Sequence, residues 1–558
     1  AYGMLMAYIF VKMYPELFNL SLKEKRTIFV FLMGYCVLAL LPDAARTQRN
    51  LVAVLLLVLA TFTVLSFGAV FTKRKNLMLM TGGFLIAGIL FNMYYQYSYE
   101  KDYLSEFSNQ GEALDKLETG TDLAVLKTGD ESVYRYDQMG THSYENSSMQ
   151  TGTNGTSYYF SVASGDITNF FNEVDLNTPW DYHYENLDSR TILDRLAAVK
   201  YFVVKAGEEE YLPYGYDTLA AEAEKKDRLY RAYECKNALP IGYTYDSYIP
   251  EEKYAKMSTV EKQQALLQGV VLADSTVPET TPEFNDREVS YKLVTGSGCR
   301  EKDGKLIVTK ENAQAKLVFD GLDECETYLI TEGVDYEALS PRELISDKKW
   351  NKMTLYEQKK VQYENSKWRY WKESQKAYID VTGQFLDKTI SIFTDKYNAY
   401  SGRSDFLCNT GYSEKGKKSI TLTFENTGVY SYKDMKVVCQ PMKNIESQTS
   451  RLGTESLKDV KIKNHELTGK ISVSKDKVLV ISLPYSKGFQ AYVDGQKTEL
   501  KQANTMYMAL ELTKGDHEIR ITYCTPYLKT GLVLTCVGIL CYICVVLVCK
   551  KRRGNKKT

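Results

Sequence analysis

The C-terminal end of the chain constrains its fold most strongly. Residues 530–549 read TGLVLTCVGILCYICVVLVC, without a charge, and about twenty apolar residues are what an α-helix needs to cross a bilayer core of roughly 30 Å. The residues that follow are basic, with no acidic residue among them. Because such clusters stay on the cytoplasmic side, we predict a transmembrane helix over residues 527–549 and a basic cytoplasmic tail over residues 550–558.

Four apolar runs fill residues 1–96 and predict four transmembrane helices. The chain begins inside the first run and has no signal-peptide pattern. We therefore expect these helices to be the last four of a polytopic region, the first one truncated. Basic loops around residues 23–26 and 73–75 are predicted to be cytoplasmic. Counting spans from these loops places residue 100 onward outside, in agreement with the C-terminal end.

Residues 97–526 are polar and rich in tyrosine, and they contain no apolar run of membrane length. Residues 114–134 predict the end of a helix followed by a strand, LAVLKTG (residues 123–129). Residues 190–205, RTILDRLAAVKYFVVK, have a helical period in the first half and an apolar strand pattern in the second. We predict an extracytoplasmic α/β domain over residues 97–272.

The pattern changes after residue 273. A linker rich in Pro and Thr, STVPETTPEFND, precedes short strands separated by turn signals. These strands predict an extracytoplasmic β-sandwich region of jelly-roll type over residues 273–526, with a charged, aromatic helical insertion near residues 343–384. Within the segment PYSKGFQAYVDGQ, Asp494 and Gly495 predict a hairpin turn between two strands. The predicted fold class is thus a multi-domain membrane protein that combines transmembrane helices, an α/β domain and β-sandwiches.

Two polar clusters are candidate binding sites. Asp43, Arg46 and Arg49 lie in a predicted outer loop, where paired guanidinium groups suit a carrier-lipid phosphate because Arg binds phosphate bidentately. A loop that contacts lipid headgroups is the alternative. The second cluster lies in THSYENSSMQTGTNGTSYY, where Asn146, Tyr158 and Tyr159 are candidate glycan-binding residues, since amides bond to sugar hydroxyls and aromatic rings stack on sugars. An ordinary surface loop has the same composition.

Other features narrow the chemistry. Asp194 and Arg195 form either a catalytic pair or, as we favour, a helix-end ion pair or cap. The four histidines have no metal-ligand spacing, and the sequence has no P-loop or dinucleotide-binding glycine run. We therefore predict no metal site, no evident cofactor and no nucleic-acid partner, and leave a divalent-cation requirement open. A disulfide between Cys299 and Cys325 and free buried thiols are both compatible with the cysteine spacing.

Several segments together resemble the YfhO family of bacterial membrane proteins. They are NSSM (residues 146–149), GTSYY (155–159), the stretch 194–202, NALPIGY (237–243), and PYSKGFQAYVDGQ with the later GDHEI. The family usually has Gly-Trp where this chain has Gly488 and Phe489, a conservative departure. The resemblance covers nearly the whole chain.

The resemblance implies the C-terminal part of a GT-C-like glycosyltransferase in the bacterial cytoplasmic membrane. Such an enzyme transfers a sugar from a polyprenyl-phosphate carrier to an extracytoplasmic acceptor, a cell-wall or lipid-anchored polymer such as teichoic acid. In GT-C enzymes the catalytic acid usually lies in the first outer loop, which would precede Ala1, so the resemblance assigns no catalytic residue here. The alternative is a non-enzymatic, membrane-anchored glycan-binding or scaffold protein of the cell envelope, because sandwiches often bind sugars without chemistry.

Overall fold

The structure is a computed structural model that divides into two compact units, residues 1–116 and residues 117–558. It describes residues 2–13, 15–16, 19–40, 48–67, 73–97, 112, 117–139, 146–176, 183–184, 186–371, 376–383, 386–395, 397 and 400–554.

The α-helices are α1 (Tyr2–Met13), α2 (Leu22–Leu40), α3 (Gln48–Leu65), α4 (Arg74–Tyr97), α5 (Gly120–Leu126), α6 (Ser147–Thr151), α7 (Gly165–Glu173), α8 (Thr191–Leu196), α9 (Glu251–Tyr254), α10 (Thr259–Ala265), α11 (Asp347–Trp350), α12 (Leu355–Trp371), α13 (Ile445–Gly453) and α14 (Leu528–Gly554).

The strands are β1 (Arg135–Gln138), β2 (Tyr158–Tyr159), β3 (His183–Tyr184), β4 (Val199–Lys205), β5 (Tyr216–Lys225), β6 (Arg228–Cys235), β7 (Gly242–Tyr245), β8 (Tyr248–Pro250), β9 (Val270–Leu272), β10 (Arg287–Val289), β11 (Tyr291–Thr295), β12 (Cys299–Lys302), β13 (Lys305–Val308), β14 (Ala313–Phe319), β15 (Cys325–Glu332), β16 (Asp335–Ala338), β17 (Lys376–Thr382), β18 (Asp387–Phe393), β19 (Phe406–Ser413), β20 (Ser419–Phe424), β21 (Gly428–Ser431), β22 (Asp434–Pro441), β23 (Lys458–Lys463), β24 (Glu466–Val473), β25 (Lys477–Pro484), β26 (Phe489–Val493), β27 (Gln496–Thr498), β28 (Lys501–Ala503), β29 (Tyr507–Leu512) and β30 (Gly515–Tyr523).

The first unit is built from the apolar helices α1 to α4, with α2 packed on α3 and α3 on α4. The Lys25 ammonium donates to the Phe67 carbonyl at 2.6 Å and so ties the start of α2 to the end of α3. Most of the apolar side chains of these helices are exposed. An apolar surface of this kind needs an apolar surrounding or partner helices to be stable.

Two helical segments in the described part of the chain are long and apolar enough to cross a membrane. They are Arg74–Phe91 in the first unit and Leu528–Cys549 in the second, judged by length and composition. Leu51–Leu65 is a shorter apolar helix. The number of membrane crossings and their orientation therefore stay predictions.

The second unit begins with a four-stranded sheet of order β1-β4-β6-β5. β1 and β4 are parallel, whereas β4, β6 and β5 pair antiparallel. Helix α5 covers one face, and a small core with Ala124, Tyr136 and Val203 lies between them. The predicted helix followed by a strand within residues 190–205 is confirmed as α8 and β4.

The predicted strand over residues 123–129 is wrong, because its first residues belong to helix α5. Thr119 and Asp122 form a capping box at the helix start, in which the Thr119 hydroxyl accepts from the Asp122 amide at 3.1 Å. In return, the Asp122 carboxylate accepts from the Thr119 backbone amide at 3.4 Å. Local capping thus determines the structure of a short apolar run that fits either a strand or a helix.

The first β-sandwich comprises residues 287–441 and three sheets, β10-β22-β15-β19, β11-β14-β20-β17-β18 and β12-β13-β21-β16. Their inner faces meet in one core, as the alternating burial along β14 illustrates. Cys299 and Cys325 are both buried free thiols. The predicted helical insertion appears as α11 and α12 between β16 and β17, although residues 376–382 of the predicted range form strand β17.

The second β-sandwich consists of the sheets β23-β24-β30-β26-β27 and β28-β29-β25-β7. They enclose a core of mainly Leu, Ile and Val side chains. The predicted hairpin is confirmed, since β26 pairs with β27 and both Asp494 and Gly495 have positive φ, as a tight hairpin turn requires.

Strand β7 comes from the predicted α/β domain but pairs with β25 of the second sandwich, with Tyr243 opposite Val480. The largest buried cluster also joins helices α7 and α8 to residues of β25 and β29. Residues on both sides of the predicted boundary at residue 272 thus share a sheet and a core, and the jelly-roll type of the sandwiches stays a prediction.

Candidate glycan-binding site

The predicted glycan-binding loop is closed by Asn146. Its side-chain amide donates to the Tyr159 carbonyl at 2.9 Å, and its side-chain oxygen accepts from the Tyr159 backbone amide at 3.1 Å. Asn146 itself has a φ of 63°, a left-handed conformation that Asn tolerates better than most residues. The structure therefore gives Asn146 a role in shaping the loop, and direct contact with a glycan remains a prediction.

The two predicted tyrosines lie side by side on β2, which pairs with β3. The Tyr158 ring stacks on the Tyr184 ring with centroids 4.7 Å apart, and it is partly buried. The Tyr159 side chain is 43% exposed and lies across from His183. The structure thus brings Asn146, Tyr158 and Tyr159 together and leaves one aromatic ring open to solvent, which a stacking sugar needs.

Asn146→Ala is expected to loosen this loop by about 1–2 kcal/mol, because it removes two hydrogen bonds and places Ala at a positive φ. The measurement is the rate of limited proteolysis between residues 146 and 162 in the detergent-solubilised chain. Asn146→Gly is the matched control, since Gly tolerates the backbone conformation but lacks the side-chain amide that bonds to Tyr159. Equal protection in the wild type and the Ala variant would contradict this role.

Arg135 lies beside the tyrosine cluster and was not identified from the sequence. It begins β1, is partly exposed, and donates through Nη1 to the Ala197 carbonyl at 2.7 Å and to Ser482 Oγ at 3.3 Å. Desolvation raises the pKa of Tyr507 to about 12, and the charge of Arg135 partly offsets the effect.

A cleft of about 520 Å³ lies between the β1-β4-β6-β5 sheet and the second sandwich, within the size range of small-ligand sites. It is lined by Ser132, Val133, Tyr134, Lys200, Glu234, Cys235, Lys236, Ala238, Leu239, Pro240, Ile241, Leu457, Asp459 and Val460. Residues 238–241 of the NALPIGY segment are among these lining residues. The Tyr134 ring contacts the Tyr201 ring edge-on at 4.9 Å.

Two of the residues that line this cleft, Lys200 and Glu234, belong to a group of ion pairs. Lys200 pairs with Asp130 at 2.6 Å and with Glu234 at 3.5 Å. Partial burial alone would raise the pKa of Asp130, but the hydrogen bond from Lys200 and those from Ser132 lower it to about 2. The cleft therefore combines one aromatic ring, that of Tyr134, with fixed charges, a combination that suits polar, hydroxyl-rich ligands.

A second cleft, of about 530 Å³, lies on the second sandwich and is lined in part by Asp516, His517 and Glu518. His517 Nδ1 bonds to Asp494 at 2.8 Å and its Nε2 donates to the Thr513 carbonyl at 2.8 Å. Partial burial would lower the pKa of His517, but these two acceptors raise it. The charged imidazolium is thus favoured, and the contact joins the β26–β27 turn to β30.

Asp194 and Arg195 are both fully buried, and they do not form the predicted helix-end ion pair. Arg195 instead donates to Glu446 at 2.6 Å and to Thr449 at 3.1 Å, both on helix α13. Neither side-chain oxygen of Asp194 accepts a hydrogen bond from the described residues. Burial and the neighbouring Asp137 raise the pKa of Asp194 well above its usual value. A buried carboxyl of this kind has no access to a substrate.

Asp43 and Arg46 lie outside the described residues, and Arg49 lies in the first turn of α3. Their role at a carrier phosphate therefore stays a prediction. In the part of the chain that the structure describes, no group of three or more His, Cys, Asp or Glu side chains is arranged to hold a metal ion.

Comparison with known proteins gives the following. The uncharacterized protein YfhO of Bacillus subtilis (strain 168) is 22% identical over 525 residues, which are 90% of this chain and 54% of that protein. The chain thus spans about half the length of this relative. Among solved structures, arabinofuranosyltransferase AftD from Mycobacteria matches 28% of this chain and 13% of its own chain, at 12% identity and a TM-score of 0.11, which is too low to bear on the fold.

The model of the family described as bacterial membrane protein YfhO matches residues 2–535, nearly the whole chain. The segments that resemble this family are spread over the loop, the first cleft and the hairpin of the second unit. The chain therefore belongs to the YfhO family of bacterial membrane proteins.

Proposed function

We propose that the chain is the C-terminal part of a GT-C-like membrane glycosyltransferase. It transfers a sugar from a polyprenyl-phosphate carrier to an extracytoplasmic acceptor of the cell envelope, such as teichoic acid. The observation that carries the proposal is the second unit: a large β-rich unit with two ligand-sized clefts ends directly in an apolar helix of membrane length. Membership of a bacterial membrane protein family supports it.

In the proposed reaction, an acceptor hydroxyl oxygen forms a bond to the anomeric carbon of the donor sugar. The bond between that carbon and the phosphate oxygen breaks, and polyprenyl phosphate leaves with the electron pair. A carboxylate accepts the hydroxyl proton, and cations stabilise the leaving phosphate. The part assigned to the second unit is to bind and orient the acceptor, with Tyr158, Tyr159 and the Tyr134 cleft as its contacts.

We propose that the second unit lies outside the cytoplasmic membrane and that the C-terminus lies inside. Helix α14 supports this, because its Leu, Ile and Val side chains are exposed throughout and basic residues follow them. Cys524 is exposed and precedes α14 by a few residues. A membrane-impermeant maleimide should label Cys524 in intact cells, with Cys524→Ser as the control. Labelling that requires lysis would contradict the orientation.

A non-enzymatic glycan-binding protein is the second candidate, because the two ligand-sized clefts of the second unit also suit binding without chemistry. Asp137, Asp194 and Glu326, carboxyl groups of the second unit whose pKa is raised, are all fully buried. None of the three has the access that a general base requires. A binder of this class would hold envelope polymers near the membrane without changing them.

Deletion of the gene in its host separates the two functions. The transferase proposal predicts that a sugar disappears from wall or lipid-anchored polymers, and that the wild-type gene restores it. Tyr158→Ala with Tyr159→Ala should restore it only partly, because stacking contacts to the acceptor are lost. Unchanged polymer composition in the deletion strain would contradict the transferase proposal and favour the binder.

A further inference from the structure

The segment of residues 146–165 combines an uncharged sequence with exposed apolar side chains. It contains no charged residue, whereas 25% of the residues in the whole chain are charged. Three of its apolar side chains are largely exposed, Met149 by 78%, Phe160 by 58% and Val162 by 80%. Met149 lies on α6, and the other two follow directly after β2. Exposed apolar side chains in one segment mark a contact with a protein or a membrane.

Other exposed apolar side chains of the second unit lie among charged residues. On α12, for example, Leu355 and Tyr356 are similarly exposed, but Glu357, Lys359 and Lys360 follow them within the next turn and a half. Charged side chains hold such a helix in water, because their transfer into a bilayer is costly. The absence of charge therefore distinguishes the segment of residues 146–165 from the face of α12.

Polar contacts fix the shape of this segment without covering its apolar side chains. The side-chain amide of Asn146 exchanges two hydrogen bonds with the Tyr159 backbone, at 2.9 and 3.1 Å. The Thr156 hydroxyl donates to the Asp137 carboxylate of β1 at 2.7 Å. The polar side chains thus hold the base of the segment to the unit. A surface that is ordered before it makes a contact loses little entropy on docking.

A short series of contacts connects the segment to the start of α14. Phe170 lies on α7, the helix that begins at the end of the segment, and its ring centroid is 6.1 Å from that of Tyr507. Tyr507 is paired with Pro484 at the end of β25. In the turn after β25, the Gly488 carbonyl accepts from the Cys524 amide at 3.0 Å, just before α14 begins. The segment therefore belongs to the part of the unit that is packed toward the membrane-length helix.

We propose that Met149, Phe160 and Val162 form a membrane-docking surface that inserts into the bilayer interface. Transfer of large apolar side chains out of water drives the contact, and the lack of charge in the segment makes this transfer inexpensive. Helix α14 would tether the unit to the same bilayer, so that a contact too weak to hold a free protein suffices. If the proposed function holds, docking keeps the exposed Tyr159 ring close to the bilayer surface, where the phosphate of a lipid carrier lies.

The surface is tested by photolabelling of the full chain in phosphatidylcholine vesicles that contain a lipid with a diazirine in the upper part of one acyl chain. Mass spectrometry after proteolysis locates the lipid adducts. We expect adducts between residues 146 and 165 in addition to those on α14, and none on residues 347–371, whose apolar side chains lie among charges. Absence of adducts from residues 146–165 would overturn the proposal. Cross-links from this segment to another copy of the chain, without lipid adducts, would overturn it in favour of a protein contact.

The variant with Phe160→Ser and Val162→Ser should lower the adduct yield on this segment roughly 10-fold relative to that on α14, because two inserted apolar side chains are lost. Both side chains are mostly exposed, and Phe160→Ser alone should lower the yield severalfold if the double variant fails to fold. The matched control replaces Leu219 and Ile462, two half-exposed apolar residues on β5 and β23, by Ser. The control should leave the yield unchanged, and equal yields from all three variants would overturn the proposed surface.

The charge of the lipid provides a second readout. Since the segment carries no charge, its adduct yield should be the same in vesicles of phosphatidylcholine alone and in vesicles that also contain phosphatidylglycerol. A yield that requires phosphatidylglycerol would overturn insertion driven by apolar side chains.

The outcome is separable from that of the proposed function. Lipid adducts are measured on the purified chain, whereas sugar transfer is read from polymer composition in the host. Loss of the sugar upon deletion, together with an unlabelled segment, would reject the docking surface and leave the transferase proposal standing. A labelled segment with unchanged polymers in the deletion strain would retain the docking surface and reject the transferase.

Discussion

Replacing Arg190 by Ala is expected to destabilise the second unit by about 3–5 kcal/mol, the range for breaking a buried ion pair from one side. The Arg190 side chain is fully buried and donates to Asp188 Oδ2 at 3.0 Å. It also donates to the carbonyls of Val174 and Asp175, at 2.5 and 3.0 Å. Truncation therefore leaves three acceptors without this donor and a cavity in the interior.

The effect should reach beyond the loop that contains Arg190, because Asp188 also connects two parts of the unit. Asp188 Oδ1 pairs with Lys388 of β18 at 2.8 Å, and Asn409 of β19 donates to the Asp188 carbonyl at 3.0 Å. Next to it, Thr191 donates through its amide to Glu326 of β15 at 2.9 Å. These three contacts connect the segment that leads into helix α8 to strands β15, β18 and β19 of the first sandwich.

Thermal unfolding of the solubilised chain, followed by near-ultraviolet circular dichroism, measures the loss. Arg190→Lys should fall between the wild type and the Ala variant, because Lys retains the charge but not the planar set of donors. Arg231→Ala removes an arginine that pairs at the surface and should leave the midpoint nearly unchanged. Equal midpoints for the Arg190 and Arg231 variants would show that the buried network contributes no more than a surface pair.

Asp194→Asn is expected to make the second unit more stable than the wild type at alkaline pH. Neither Asp194 oxygen receives a hydrogen bond from an N–H or O–H donor of the described residues. Asp137, in contrast, accepts from Thr156, from the Leu187 amide and from the Gln138 amide at 2.7–3.0 Å. We infer from this difference that Asp194 is neutral in the folded chain and donates its proton to an ionised Asp137.

The direction in which stability changes with pH follows from proton linkage. The folded chain keeps a proton on Asp194, whose pKa is raised by burial and by Asp137, whereas the unfolded chain loses it above a pH of about 4. Wild-type stability therefore falls as the pH rises from about 4 to the folded pKa, by about 1.4 kcal/mol per pH unit at most. Asn supplies an N–H donor to Asp137 and has no titrating proton. The pH-dependent loss of stability that Asp194 causes is therefore absent in the Asn variant.

Unfolding midpoints between pH 5 and pH 9 test this account. The wild-type midpoint should decline more steeply with pH than that of Asp194→Asn, and the two curves should converge toward acid pH. Asp194→Ala is the control, because it removes the donor as well as the proton and should be destabilised at every pH. Parallel curves for the wild type and the Asn variant would mean that Asp194 is ionised in the folded chain.

The sequence predicted those parts of the fold that local signals determine. The helix and strand within residues 190–205 and the turn at Asp494 and Gly495 follow from periodicity and turn chemistry, and the structure confirms both. Helix α5 was missed because its apolar run is short, although Thr119 and Asp122 carried the capping signal. The pairing of β7 with β25 joins strands far apart in the chain, which local patterns do not reveal.

The candidate site likewise combines residues that local sequence patterns reveal with residues that only the folded chain reveals. Asn146, Tyr158 and Tyr159 are neighbours in sequence, and their composition was sufficient to select them. Arg135 and Tyr507 come from distant strands, β1 and β29, and carry no motif. A contact between strands so far apart, such as the hydrogen bond from Arg135 to Ser482, is visible only in the folded chain.

The central claim is sugar transfer from a lipid carrier to an envelope polymer, and transfer itself is its most direct test. Membranes from the wild-type and deletion strains would be supplied with a radiolabelled polyprenyl-phosphate sugar and purified envelope polymer. We predict that label enters the polymer with wild-type membranes, and that it does so with deletion membranes only after the gene is restored. Equal incorporation by both membranes would contradict the claim.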